Sequence, residues 1–138
     1  MSNYAYVATR ARSRRSRLLP AEAYNQLLNL EHAEIARYIQ DLEYRREIDR
    51  YGSTLSGADL IETALVDNLA KDIGDFLSFS KGKLRDILHV YAEKYRVDNL
   101  KNIIRGINQN MDRQNLERLV CPINDSDKDL YSLSLIHI

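Results

Sequence analysis

The chain has 138 residues, with 20 Lys+Arg against 20 Asp+Glu, one Cys, no Trp, 44% hydrophobic and 29% charged residues. These values suit a globular chain of one-domain size and exclude a disulfide scaffold and a disordered polymer. No apolar run nears the ~18–20 residues that a membrane span needs, and the polar N-terminus lacks the apolar stretch of a secretory signal.

Charge alternates along the chain. Residues 1–17 carry +5, 18–51 carry −3, 52–80 carry −4, 81–106 carry +4 and 107–138 carry −2. Such blocks suit complementary packing between segments, or separate faces for separate partners.

The apolar spacing predicts helix almost throughout. Over residues 4–18, Tyr4, Val7, Ala8, Ala11 and Leu18 fall on one stripe of a helical wheel, with Arg10, Arg14 and Arg17 beside it and Arg12 far from them. Pro20 is expected in the first turn of the next helix, followed by Glu22, which is favourable against the helix dipole. Leu27, Leu28, Ile35, Tyr38 and Ile39 mark two short helices broken near Asn29-Leu30, and Tyr44 to Arg50 adds a further turn or two. Gly52, Ser53, Thr54, Ser56 and Gly57 form a turn-rich linker, with Ser56 or Thr54 as a cap for the next helix.

The longest helix is expected at about 58–79, with Leu60, Ile61, Ala64, Leu65, Leu69, Ile73, Phe76 and Leu77 as its apolar positions. Ser80-Lys81-Gly82 breaks the chain. Leu84, Ile87, Leu88, Tyr91 and Tyr95 mark another helix, and Asp98 is read as the cap of a separate one carrying Leu100, Ile103, Ile104 and Ile107. Leu116, Leu119 and Val120 start a last element, stopped by Pro122 and by Asn124-Asp125-Ser126-Asp127. The fold class is all-α.

The final hexapeptide, Leu133-Ser134-Leu135-Ile136-His137-Ile138, has a codon reading, CTG TCT CTT ATA CAC ATC, that matches the transposon-end adapter of sequencing libraries. It is therefore expected to be read-through from a gene into adapter sequence and is set aside from fold reasoning. The alternative is a native apolar strand in which Ser and His alternate with Leu and Ile.

Sites for chemistry are sparse. No phosphate-cradling glycine loop of either common type is present. Cys121 stands alone without a CxxC, and Glu31-His32-Ala33-Glu34 is not a metalloprotease motif. His32 and His89 read as surface or helix-end residues, and Cys121 as a small buried residue rather than a nucleophile. Asp67, Lys71, Asp72 and Asp75 read as a solvated helix face, and Tyr91 and Tyr95 as core. No catalytic residue, cofactor site or metal site is expected. The Arg cluster at 10–17, with Tyr4 and Tyr6 nearby, is the one feature suited to phosphates and bases. It leaves a small helical nucleic-acid-binding module as the alternative function, disfavoured by the net −5 of the remaining chain.

Three stretches carry a resemblance. Asn3-Tyr4-Ala5-Tyr6-Val7 through Ala11-Arg12 to Ser16-Arg17-Leu18-Leu19, then Leu42-Glu43-Tyr44 to Ile48-Asp49, then Tyr91 to Tyr95 with Val97-Asp98-Asn99-Leu100-Lys101 and Ile104-Arg105-Gly106, occur in the order and spacing of one family. The chain resembles the C subunit of archaeal A-type ATP synthases, equivalent to the d subunit of vacuolar ATPases, and looks most like methanogen-type members. The resemblance implies the N-terminal fragment of an all-helical, funnel-shaped protein of three similar helical units. Residues 1–112 would be the first unit and 113–132 the truncated start of the second. It further implies a non-catalytic, peripheral protein on the cytoplasmic face of the membrane. That protein would join the membrane rotor ring to the central stalk, with no nucleic acid and no small-molecule substrate. Near Asn124-Asp125 the sequence departs from the Gly-containing turn expected there. Arg10, Arg14 and Arg17 are the candidate docking residues toward ring or stalk. Internal salt bridges from these arginines to acids of residues 31–75 are the competing reading.

Overall fold

A computed structural model describes residues 3–123; the expectations for Asn124-Asp125 and for the tail 133–138 lie outside the described residues. The described residues form seven helices and no strand, as the apolar spacing requires. The helices are α1 (Tyr4–Arg15), α2 (Ala21–Leu27), α3 (His32–Gln40), α4 (Arg45–Tyr51), α5 (Gly57–Phe79), α6 (Lys83–Asn108) and α7 (Arg113–Arg118). The chain divides into two compact units, one of residues 4–68 and one of residues 69–123 together with Asn3, so that the division falls within α5.

In the unit of residues 4–68, Ala36 and Ile39 of α3, Ile48 of α4, and Leu60 and Ala64 of α5 form the core. Tyr38, Tyr44, Tyr51, Leu55 and Ile61 close around it. Each large aliphatic side chain removed from water here stabilises the fold by about 1.5–3 kcal/mol. The ends are tied by local chemistry. Glu34 turns back to accept from the backbone N–H of Glu31 at 2.9 Å, so the Glu31–Glu34 stretch starts α3. The Thr54 hydroxyl donates to the carbonyl of Tyr51 at 3.2 Å and so finishes α4 instead of starting α5. Gly57, at φ 60°, opens α5 in a backbone conformation that suits glycine. Arg50 pairs with Asp67 at 3.4 Å, and burial together with the Asp67 carboxylate raises the Tyr51 phenol above its ordinary pKa.

Several apolar expectations fail in this unit. Of the α1 stripe only Val7 is buried, while Tyr4, Ala8, Ala11 and Leu18 are exposed. Two alanines give the stripe too little apolar area to hold it against a neighbour. Leu28 is 83% exposed, in the turn that follows α2. Pro20 sits one residue earlier than expected, as the extended N-cap of α2, and Glu22 falls in that helix's first turn as expected.

In the second unit, the side-chain amide of Asn3 brackets the break after α5. Its Nδ2 donates to the Phe79 carbonyl at 2.7 Å and its Oδ1 accepts from Lys81 N at 3.0 Å. Ser80 lies between them, buried, with its hydroxyl unpartnered. Gly82, at φ 59°, then makes the turn into α6. α6 runs 26 residues without interruption and is longer than α5, which has 23. The separate helix expected after Asp98 therefore does not exist. Asp98 lies in mid-helix and pairs with Lys101 at 3.3 Å, one turn on.

α7 returns against the end of α6. Gly106 leaves so little room that a Cβ there would clash with Leu116 Cδ2. Asp112 caps α7 through Asn115 N at 3.0 Å. Asn99 and Asn102, one turn apart on α6, hold the chain beyond α7. Asn102 Nδ2 donates to the Leu119 carbonyl at 2.9 Å, and Asn99 makes two 2.8 Å bonds with the backbone of Cys121.

Candidate docking face

Five arginines fall between residues 10 and 17, and α1 spends its last turn on Arg12, Arg14 and Arg15, where positive charge is favourable against the helix dipole. The helix stops at Arg15, so Arg17 lies in the turn beyond it and not on the helix as the wheel placed it. The turn nonetheless brings Arg17 back: its N–H donates to the Arg14 carbonyl at 3.0 Å. Arg10 and Arg14 stand one helical turn apart, so the three candidates succeed one another along one end of α1.

Their environments differ. Arg10 is exposed, and its Nε donates to the Tyr6 hydroxyl at 3.2 Å, with its guanidinium carbon 5.5 Å from the centre of the Tyr6 ring. Arg14 is half-buried. Arg17 is exposed and places Nη1 3.1 Å from each oxygen of Glu43. This pair joins the first basic block to the acidic block that follows it, and it joins two of the stretches that carry the family resemblance. For Arg17, the internal ion pair is thus present; both side chains remain half in solvent, where such a pair is worth about 0–1 kcal/mol.

The other residues singled out in the sequence do not converge. His32 opens α3 and His89 lies on α6, both exposed. Cys121 is partly buried and is held through its backbone. On α5, Asp67 is taken by Arg50, and Lys71 lies 3.8 Å from Asp75. Tyr91 is exposed and not core. Its hydroxyl lies 3.2 Å from that of Tyr95, with the rings edge to face at 5.7 Å. That hydrogen bond, reinforced by burial, pushes the Tyr95 phenol up to about 12. Among the described residues no group of three or more His, Cys, Asp or Glu is placed to hold a metal ion, and no helix is long and apolar enough to cross a membrane.

The residues that sequence reasoning missed are Asn3 and Asn99. Both lie in the stretches that carry the resemblance, and in both the side-chain amide grips backbone groups far along the chain. An asparagine beside helix-forming neighbours was the only available signal, and it does not identify the partner.

The family model described as ATP synthase (C/AC39) subunit matches residues 7–135. Among curated proteins, the C subunit of the A-type ATP synthase of Haloferax volcanii is 40% identical over 131 residues, 95% of this chain and 38% of that protein. The same subunit of Archaeoglobus fulgidus is 35% identical over 133 residues, 96% of this chain and 39% of that protein. The corresponding protein of Methanosarcina mazei is 41% identical over 105 residues, 76% of this chain and 29% of that protein. The chain therefore spans less than two-fifths of the length of these relatives. No solved structure matches it.

Proposed function

The chain belongs to the ATP synthase (C/AC39) subunit family, and from that premise we propose that it is part of a non-catalytic central-stalk subunit of a rotary A/V-type ATP synthase. In this reading the protein lies peripherally on the cytoplasmic side of the membrane. It joins the membrane rotor ring to the central stalk and passes torque between ion flow and ATP synthesis or hydrolysis. Residues 1–112 belong to the first of three helical units of a funnel-shaped protein and 113–132 to the start of the second. The observation that carries the reading is the family match across residues 7–135, together with relatives named as C subunits of A-type ATP synthases.

The physical chemistry is compatible with such a role. A torque adaptor needs stiffness, which long close-packed helices supply, because a dense interior transmits strain. It also needs docking that fixes geometry, which charged faces supply more readily than raw affinity. Arg10 and Arg17 present exposed guanidinium groups at one end of α1, and Arg14 stands between them. These three are assigned to docking on ring or stalk. The alternative of nucleic-acid binding by the same helix has no support from the family.

The test is charge reversal of Arg10, Arg14 and Arg17 to Glu in a full-length family member that contains this segment. Loss of co-purification with the ring or stalk, with helicity unchanged by circular dichroism, is the expected result. Undiminished assembly would overturn the docking role.

A further inference from the structure

α1 leaves most of its circumference in solvent. Val7 is its buried residue, so Tyr4, Ala8 and Ala11 form an exposed stripe along the helix. The chain carries that line one turn further. The backbone N–H groups of Ser16, Arg17 and Leu18 donate to the carbonyls of Arg12, Arg14 and Arg15 at 3.0, 3.0 and 3.2 Å. Leu18 is thereby held at the C-terminal end of α1, where it is 64% exposed.

Arginines border the stripe on both sides. At about 100° per residue, Arg12 lies roughly 70° to one side of it and Arg14 roughly 90° to the other, and Arg15 falls within it. Arg12 and Arg15 are exposed, and their guanidinium groups pair with no carboxylate among the described residues. No Asp or Glu precedes Glu22 in the chain, and Glu43, which the fold brings to this end of the helix, already holds Arg17 at 3.1 Å. The charge therefore calls for an anionic partner. From Arg10 through Arg14 and Arg15 to Arg12 the arginines cover about 200° of the helix, wider than one flat protein or nucleic-acid face meets. A helix lying in a lipid headgroup layer is met on both flanks and along its apolar stripe. Guanidinium groups take phosphate through paired N–H donors, and the Tyr4 ring has an apolar body and a polar tip suited to the same depth. Leu18 offers an apolar contact that acyl chains can use and a nucleic-acid backbone cannot.

We propose that this face of α1, through Arg12, Arg15, Tyr4 and Leu18, binds the phosphate headgroups of an anionic lipid bilayer. The inference goes beyond docking on ring or stalk by Arg10, Arg14 and Arg17, and it stands without that reading.

Co-sedimentation of the full chain with vesicles tests it. The vesicles are phosphatidylcholine alone, or phosphatidylcholine with about one-third phosphatidylglycerol. The chain should bind the second kind and not the first. Arg12→Ala with Arg15→Ala should weaken partitioning by about tenfold or more, with helicity unchanged by circular dichroism. Lys83→Ala with Arg85→Ala removes the same charge from exposed residues of α6 and should change partitioning by less than about twofold. Because the chain has no Trp, Leu18→Trp places a single indole at the end of α1. Its emission should shift to the blue on the anionic vesicles and be quenched by brominated acyl chains. Equal binding to both kinds of vesicle, equal loss in the two double variants, or an indole emission that the vesicles leave unchanged would overturn the proposal. So would binding of a single-stranded DNA oligonucleotide through Arg12 and Arg15 with no binding of the vesicles.

Discussion

The side chain of Asn99 holds the backbone of Cys121 from both sides: Nδ2 donates to the Cys121 carbonyl and Oδ1 accepts from the Cys121 N–H, each at 2.8 Å. Asn99 is almost fully buried, and its two bonds span 22 residues. Asn99→Ala should lower stability by about 2 kcal/mol, since two buried hydrogen bonds are lost, although the Cys121 carbonyl still accepts from Ile123 N at 3.1 Å. Asn99→Asp should not rescue it, because the Cys121 carbonyl would then face an acceptor. Urea denaturation followed by circular dichroism measures the loss. Hydrogen exchange should show it concentrated at residues 113–123.

Gly106 and Leu116 are coupled through space. Alanine ordinarily improves a helix over glycine by about 1 kcal/mol, but here its Cβ would force the buried Leu116 side chain to move, at a cost of about 1–3 kcal/mol. Gly106→Ala should therefore be neutral or destabilising. Combined with Leu116→Ala it should cost less than the sum of the two single changes. A double-mutant cycle in urea reads the coupling, and strict additivity would contradict the close approach.

Tyr95 and Asp112 each give stability a dependence on pH. Hydrogen bonding to Tyr91 raises Tyr95 to about 12, so its contribution is complete below the ordinary tyrosine pKa near 10 and is lost as pH rises through 12. Absorbance titration should show one late-ionising tyrosine, which Tyr91→Phe returns toward 10. The amide of Asn115 lowers Asp112, so its contribution is complete above the ordinary carboxylate pKa and is lost as pH falls through the depressed value. Asp112→Asn should keep the cap and remove that acid-side dependence.

Arg17 and Glu43 separate stability from docking. Arg17→Glu alone should change stability by less than about 1 kcal/mol, because the pair is half in solvent. Exchanging the charges, Arg17→Glu with Glu43→Arg, should restore whatever stability is lost. It should not restore ring or stalk binding if Arg17 docks there. Thermal melts and co-purification on the same three proteins distinguish the two roles.

The helical class, the break at Ser80–Gly82 and the linker before α5 were legible in sequence because each rests on neighbours within a turn or two. Asp98 misled because an aspartate that caps a helix and one that pairs with a lysine a turn later look alike in a short window. The stripe on α1 misled because helical spacing says nothing about whether two alanines bury enough area to hold a helix down. The family was legible from three short stretches in register, but the clamps by Asn3 and Asn99 were not. Their partners lie 76 to 78 and 22 residues away, and only the fold brings them together. At the candidate docking face, the sequence located the arginines but not the Glu43 carboxylate that already occupies Arg17.

The most direct measurement of the functional account is exchange of residues 7–123 into the matched segment of the Archaeoglobus fulgidus relative, followed by assay of the reconstituted ATP synthase in vesicles. ATP hydrolysis that drives ion movement, with the membrane ring retained on purification, is the expected result. A complex that folds and hydrolyses ATP but loses the ring, or no longer moves ions, would contradict a coupling role for this segment.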